Sequence, residues 1–573
     1  LITLATLTVI GVAMLYKTAR LRSGGAAVAK MLGGREVSPS TKDPLERRLI
    51  NVVEEMAIAS GSPVPEVFIL QNEEGLNAFA AGWTKDDAAI AVTRGLLEKL
   101  NRDELQGVIA HEFSHVFHGD MRLNIRLMGI LFGIVCIATI GEILMRTLGR
   151  TRSRNSKNNG AAAIVLFGLA LMIIGWIGVF FAGLIKAAVS RQREFLADAS
   201  AVAYTRNPRG IGMALAHIGG MTSQVGNAHA REASHFFFAS GIKNWFGAWA
   251  THPPINDRIE RVLPGFSARV RSGESRTEAV AQTAPPPPAS TDSPHAAVAG
   301  IAAAGITGLV GRIEPEHVEQ ARKQIEALPL DLVAAAHDVE RVQALLYAML
   351  LSHDDGKGSE QSEILAQCDE TVRHEARSLA AAAKQLTPTD NLTLLELMVP
   401  ALRQLPQASA DELEKQAEAL AQADGRISTF EFAVLKTVRR RAGPAAAPAN
   451  QRGRRLNMSH LASEVEVVLS AIANENGAEA EAAFAAGTRQ LPHIPGMHLL
   501  HRDSYNLERV DQALQKLNRV SPGAKKNLLE ACAHTAETDG VIAPAEGELI
   551  RAFAEHLHCP IPAVWTTETT QTA

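Results

Sequence analysis

Cysteine is scarce: four occur in 573 residues, Cys136, Cys368, Cys532 and Cys559, and no two stand in C-x-x-C spacing. That excludes a disulfide framework and a thiolate zinc site, and leaves reduced, structural thiols. An excess of basic charge is also missing, with 57 Lys and Arg against 61 Asp and Glu and a net charge of −4. A dedicated nucleic-acid binder is thereby excluded, so no nucleic-acid partner is expected. An initiator methionine and a basic stretch ahead of the first apolar run are absent too. Residues 1–16, apolar or hydroxyl-bearing and closed by Lys17, Arg20 and Arg22, therefore read as the visible end of a membrane helix whose beginning is missing, not as a complete signal peptide. The chain is too long for one compact domain.

What is present is strongly segregated. Residues 161–185 run for 25 positions without a charge, about 37 Å as a helix, enough to cross a hydrocarbon core about 30 Å thick. Residues 127–145 form a second apolar stretch whose one charge, Glu142, lies near an end where it reaches the interface. The expected order is a membrane helix over 1–16, a first catalytic part over 17–126, a span over 127–145, a basic loop over 146–160, a span over 161–185, and a second catalytic part over 186–269. Residues 270–295 carry four consecutive prolines amid Ser, Thr, Ala and Glu and read as a disordered linker. Residues 296–573 are rich in Ala, Leu and Glu and read as an all-α domain; the Ala and Gly content of 296–311 supplies too little transfer energy for a span.

Within the catalytic part, 44–59 has helical spacing of apolar residues behind Asp43, while 66–70, 77–83 and 88–93 suit strands of a small antiparallel sheet. Residues 101–118 read as a helix with Asn101 as N-cap, Glu104 completing a capping box and Gly119 just past the end. That helix carries His111-Glu112-Phe113-Ser114-His115. The i, i+4 spacing puts both imidazoles on one face, converging on a zinc ion, and leaves Glu112 off that axis to take a proton from a water the metal activates. Two histidines leave the site one protein ligand short. Ser190 to Asp198 (SRQREFLAD) offers Glu194 and Asp198 at i, i+4, one to bind metal and the other to accept a hydrogen bond from a ligand imidazole. His118 is a rival third ligand on the same helix, in strained geometry. The longer metzincin pattern fails, for lack of its Gly and third His. Asn77, Ala78 and Phe79 offer an edge strand on which an extended substrate can lie, and His252 or Arg258 offers a donor to the tetrahedral oxyanion.

Read together, NAFAAG over 77–82, VTRGLLEKLNRDELQGVIAHEFSH over 92–115, SRQREFLADA over 190–199 and THPPINDRI over 251–259 resemble the HtpX-like membrane metalloproteases, relatives of the CaaX prenyl proteases, across residues 43 to about 262. The resemblance implies a gluzincin-type zinc metalloendopeptidase in an α+β fold. It implies His111, His115 and Glu194 as ligands of one zinc ion per chain, Glu112 as base, Asp198 behind a ligand, and a role in membrane-protein quality control. The implied substrates are unfolded or membrane proteins. The implied location is a bacterial-type inner membrane, multi-pass, with the active site facing the cytoplasm. The main alternative is a non-catalytic membrane scaffold with a structural metal site. A soluble-substrate aminopeptidase lacks a motif for its acidic pocket.

The last region has an internal echo: residues 424–435 (DGRISTFEFAVL) align with 539–550 (DGVIAPAEGELI), and Asp355-Gly356 begins a weaker third copy. These stretches resemble TerB-like helical domains, and the region is expected to offer a surface for a protein partner or self-association. The alternating acidic ligands of an EF-hand are absent, which excludes that reading.

Overall fold

The computed structural model describes residues 2–149, 159–220, 237–238, 252–283, 313, 315–351, 358–423, 429–443, 456–537, 542, 544–559 and 561. The expected basic loop lies mostly outside these residues. So do the prolines of the linker, residues 296–311 and the three Asp-Gly turns. The stretch ahead of those prolines is not the disordered linker expected from 270 onward: Arg276–Thr283 is a helix whose Ala279 and Val280 are buried, because these two apolar residues share the face that packs into the first unit. The chain divides into two compact units, 1–37, 43–52 and 65–287 in the first, and 38–42, 53–64 and 288–573 in the second.

The first unit opens with α1 (Ile2–Arg20) and α2 (Gly25–Met31), followed by β1 (Arg35–Glu36), the start of α3 (Pro44–Ser60), whose residues from 53 on belong to the second unit, then β2 (Glu66–Leu70), β3 (Ala78–Ala81) and β4 (Ala89–Thr93). The sheet order is β1-β2-β4-β3. It is mixed, not antiparallel as expected: β2 pairs parallel with β4, and β3 pairs antiparallel with β4. The physical reason is the crossing made by residues 71–77, which carry the chain past the β4 position before the tight turn at 82–88 brings it back. One sheet face packs Phe68, Leu70, Phe79 and Ala91 against Val28 and Ala29 of α2 and Leu32 just after it.

Next come α4 (Arg94–Lys99) and α5 (Arg102–His118). Both halves of the expected capping box form: Asn101 accepts from the Glu104 N–H at 3.0 Å and Glu104 accepts from the Asn101 N–H at 3.0 Å. Gly119, at φ 73°, ends the helix in the left-handed region. The chain then enters two long helices, α6 (Asp120–Gly149) and α7 (Asn159–Thr205), and α8 (Pro208–Gly220). Close glycine contacts seat the long helices: a Cβ at Gly133 would meet Ile10 O at 2.9 Å, and one at Gly141 would meet Gly168 O at 2.5 Å. Their outer faces are apolar and exposed, including Ile143, Leu166, Trp176 and Ile177. Among the described residues, Asp120–Arg146 is the one helix long and apolar enough to cross a membrane by length and composition, and Leu166–Gly178 is a shorter apolar stretch inside α7.

In the second unit, every regular element described after residue 313 is helical. The echo extends beyond the Asp-Gly turns, since Gln407–Ala421 and Thr429–Arg441 recur at one constant offset as Pro522–Ala536 and Pro544–His556. Charges keep the same offset. Lys436 of the first copy pairs with Asp511 of the second, while Glu396, the counterpart of Asp511, feels the attraction of Arg551, the counterpart of Lys436.

Candidate metal centre

The site is assembled from α5, α7 and residues 252–258. His111, His115 and Glu194 place their donor atoms within 4.8 Å of one another. His111 Nε2 lies 3.2 Å from His115 Nε2 and 3.7 Å from Glu194 Oε2, and His115 Nε2 lies 3.9 Å from Glu194 Oε1. The other nitrogen of each ring faces a carboxylate: His111 Nδ1 is 2.9 Å from Asp198 Oδ1, and His115 Nδ1 is 2.9 Å from Asp120 Oδ2. Those carboxylates assign the ring protons to Nδ1. Both Nε2 lone pairs and a carboxylate then converge on one buried point, an arrangement of mutually repelling acceptors that a divalent cation neutralises. The donor set therefore fits a metal ion. His118, the rival ligand, turns away to the Ser114 carbonyl at 2.8 Å.

Charge around the site is organised by burial and by Arg258. Burial favours the neutral form of Glu194, but attraction to His252 and to the Arg258 guanidinium outweighs it and holds the carboxyl down to about 2. Asp198 is held well below the usual carboxylate range, because attraction and hydrogen bonding from Arg258 exceed its desolvation. Burial lowers His111 to about 4 against the pull of Asp198, keeping the imidazole neutral, as a ligand must be. Burial pushes Glu112 up to about 7. Neither carboxylate oxygen of Glu112 completes a hydrogen bond; the Ala80 N–H contributes only a weak attraction. A buried, unsatisfied carboxylate beside a cation site is a poised proton acceptor.

Arg258 is fully buried, and three of its N–H groups have firm partners. Nε donates to Asp198 Oδ2 at 2.8 Å, the NH2 nitrogen to Asp198 Oδ1 at 2.6 Å, and the NH1 nitrogen to the Phe238 carbonyl at 2.7 Å. This guanidinium clamps Asp198 to the Phe238 carbonyl, and its NH1 nitrogen also lies 3.4 Å from Glu194 Oε2. His252 remains beside the centre, its Nδ1 3.1 Å from Glu194 Oε2, and neither ring nitrogen completes a hydrogen bond.

The expected substrate strand is only partly open. Asn77 Oδ1 accepts from the Ala78 N–H at 3.1 Å, and the Ala78 carbonyl accepts from the Phe238 N–H at 2.7 Å. The Asn77 carbonyl bonds to Thr93 N, so alternation along the ladder turns the Phe79 backbone towards β4 and the Ala80 backbone outwards. The outward edge beside Glu112 is thus that of Ala80, and Asn77, Ala78 and Phe79 are structural at this edge. Phe238 also sets its ring edge-on to His111 at 4.7 Å.

Asp120, Arg193 and Phe238 escaped the sequence reading. Asp120 follows a helix-ending glycine, so helical spacing from His115 carries no information across the break. Arg193 reads as a solvated neighbour of Glu194, yet it pairs with Asp120. Phe238 has no sequence signal.

Residues 44–264 match the profile of Peptidase family M48. The chain is 37% identical over 218 residues to a protein named Protease HtpX homolog from Thermoanaerobacter pseudethanolicus, covering 37% of this chain and 70% of the relative. It is 37% identical over 256 residues to the like-named protein of Listeria monocytogenes (43% and 82%) and 40% identical over 216 residues to that of Streptococcus equi (37% and 71%). No solved structure matches.

Proposed function

This chain belongs to peptidase family M48 as an HtpX-like metallopeptidase, and from that premise we propose that it is a membrane-embedded zinc endopeptidase acting on unfolded or membrane proteins in quality control. The observation that carries the reading is the convergence of His111, His115 and Glu194, with both ring protons directed to carboxylates. These three residues hold one zinc ion. Bound there, zinc lowers the pKa of a water to about 7 and polarises the scissile carbonyl.

The chain's own groups supply the rest. Glu112 accepts the proton of the attacking water and passes it to the leaving amine. His252 donates to the oxygen that gains charge, while Asp198 fixes the His111 ring. The Ala80 N–H and C=O pair with the substrate main chain, which gives affinity with little side-chain selectivity and suits unfolded polypeptides. The helical unit is the place for a protein partner or self-association. Detergent-purified protein is expected to degrade an unfolded polypeptide, to stop on chelation, and to resume with one equivalent of zinc. Hydrolysis that survives complete chelation would overturn the zinc reading.

Topology follows from the same centre. His111 and Glu194 flank the stretches 127–145 and 161–185, so the chain crosses the bilayer an even number of times between them and those stretches form a hairpin. Lys17, Arg20, Arg22, Lys30, Arg122, Arg126, Lys186, Arg191 and Arg193 flank the catalytic side, against Arg146, Arg150, Arg152, Arg154 and Lys157 in the loop. That asymmetry favours an inner-membrane protein with a cytoplasmic active site. With the native cysteines replaced, a cysteine at Ser153 is expected to react with an impermeant reagent in intact cells, and one at Ser275 is not. Labelling at Ser275 alone would invert the assignment.

A further inference from the structure

Each ligand imidazole is backed by a carboxylate, and each carboxylate by an arginine. His111, Asp198 and Arg258 form one such relay, wholly buried. The second runs from His115 to Asp120 to Arg193. Its connectivity differs in a way that matters. Asp120 opens α6, and Arg193 immediately precedes Glu194 on α7. The Asp120 side chain is nearly buried, with Oδ2 at 2.9 Å from His115 Nδ1 and Oδ1 paired with Arg193, whose own side chain is 39% exposed. The left-handed turn at Gly119 (φ 73°) brings the carboxylate back beside a histidine five residues earlier.

We propose that Asp120 is a positioning residue for the metal centre, one oxygen orienting the His115 imidazole and the other holding Arg193 so that Glu194 stays in register with α5. The inference rests on the metal reading above. A carboxylate on Nδ1 raises the basicity of Nε2 and fixes the ring rotamer. The pairing with Arg193 adds a tie between α6 and α7, the two helices of the proposed hairpin, at the point where both reach the ligands. Displacing one helix against the other therefore moves His115 and Glu194 relative to each other. Asp198 has no such reach, since its arginine lies on a separate short helix, Ile255–Val262.

The test is zinc affinity of the full chain in detergent, measured by competition with a chelator of known strength. Asp120→Asn is expected to weaken binding about 10 to 100-fold. Arg193→Gln should weaken it less, Arg193→Lys should retain most of it, and the double variant Asp120→Asn/Arg193→Gln should match Asp120→Asn alone, because both act through one carboxylate. The unfolding midpoint of the chelator-treated proteins should stay together across the set. Zinc affinity of Asp120→Asn within about two-fold of wild type overturns the proposal. So does a multiplicative double variant, or a fall in chelated-form stability that accounts for the lost affinity. A wild type that binds no zinc overturns the metal reading and this inference with it, whereas a wild type and an Asp120→Asn that bind equally overturn this inference alone.

Discussion

Glu112→Gln is expected to abolish proteolysis while leaving the metal in place. The amide fills the same buried volume, 1% exposed in the wild type, but cannot accept a proton. General-base catalysis contributes about 10²–10⁴-fold, so turnover should fall by at least that much. Loss of a buried carboxylate that completes no hydrogen bond should leave stability unchanged or raised, which separates this variant from one that merely misfolds. The wild-type rate should also fall in acid. The protonated carboxyl is inactive, burial as the largest influence raises Glu112 to about 7, and a cation at the ligands pulls that value lower, so the acid limb of kcat/KM should lie below about pH 7.

Arg258→Met is expected to cost more in stability than any other single change at the site. It strips Asp198 of both guanidinium bonds and the Phe238 carbonyl of its donor, leaving a buried carboxylate without a counter-charge. Removing one partner of a buried pair costs about 3–5 kcal/mol. The midpoint of denaturant unfolding should shift accordingly, and His111 should lose its fixed tautomer along with Asp198. Arg258→Lys keeps the charge but not the two-pronged geometry and should fall between. A variant with wild-type stability and activity would show that Asp198 finds its counter-charge elsewhere.

Local signals in the chain were legible wherever one element carried them. The capping box at Asn101 and Glu104, the stop at Gly119 and the paired faces of His111 and His115 all follow from spacing within one helix. Glu194 and Asp198 were recognisable because they too share a helix turn. Long-range relations were less visible. The parallel pairing of β2 with β4 depends on where residues 71–77 carry the chain, which no periodicity encodes. Asp120 reaches His115 only because the backbone reverses at Gly119, and the hold of Arg258 on both Asp198 oxygens and the Phe238 carbonyl joins residues far apart in the chain. The edge at Ala78 looked open for the same reason: its occupant, Phe238, is remote in sequence and plain in composition.

The central claim is that His111, His115 and Glu194 hold one metal ion which Glu112 does not bind. Metal analysis of purified wild type, Glu112→Gln and Glu194→Ala, side by side, tests it most directly. The expected result is one zinc per chain in wild type and in Glu112→Gln, with most of it lost in Glu194→Ala. Full occupancy in Glu194→Ala, or loss of the metal in Glu112→Gln, would contradict it.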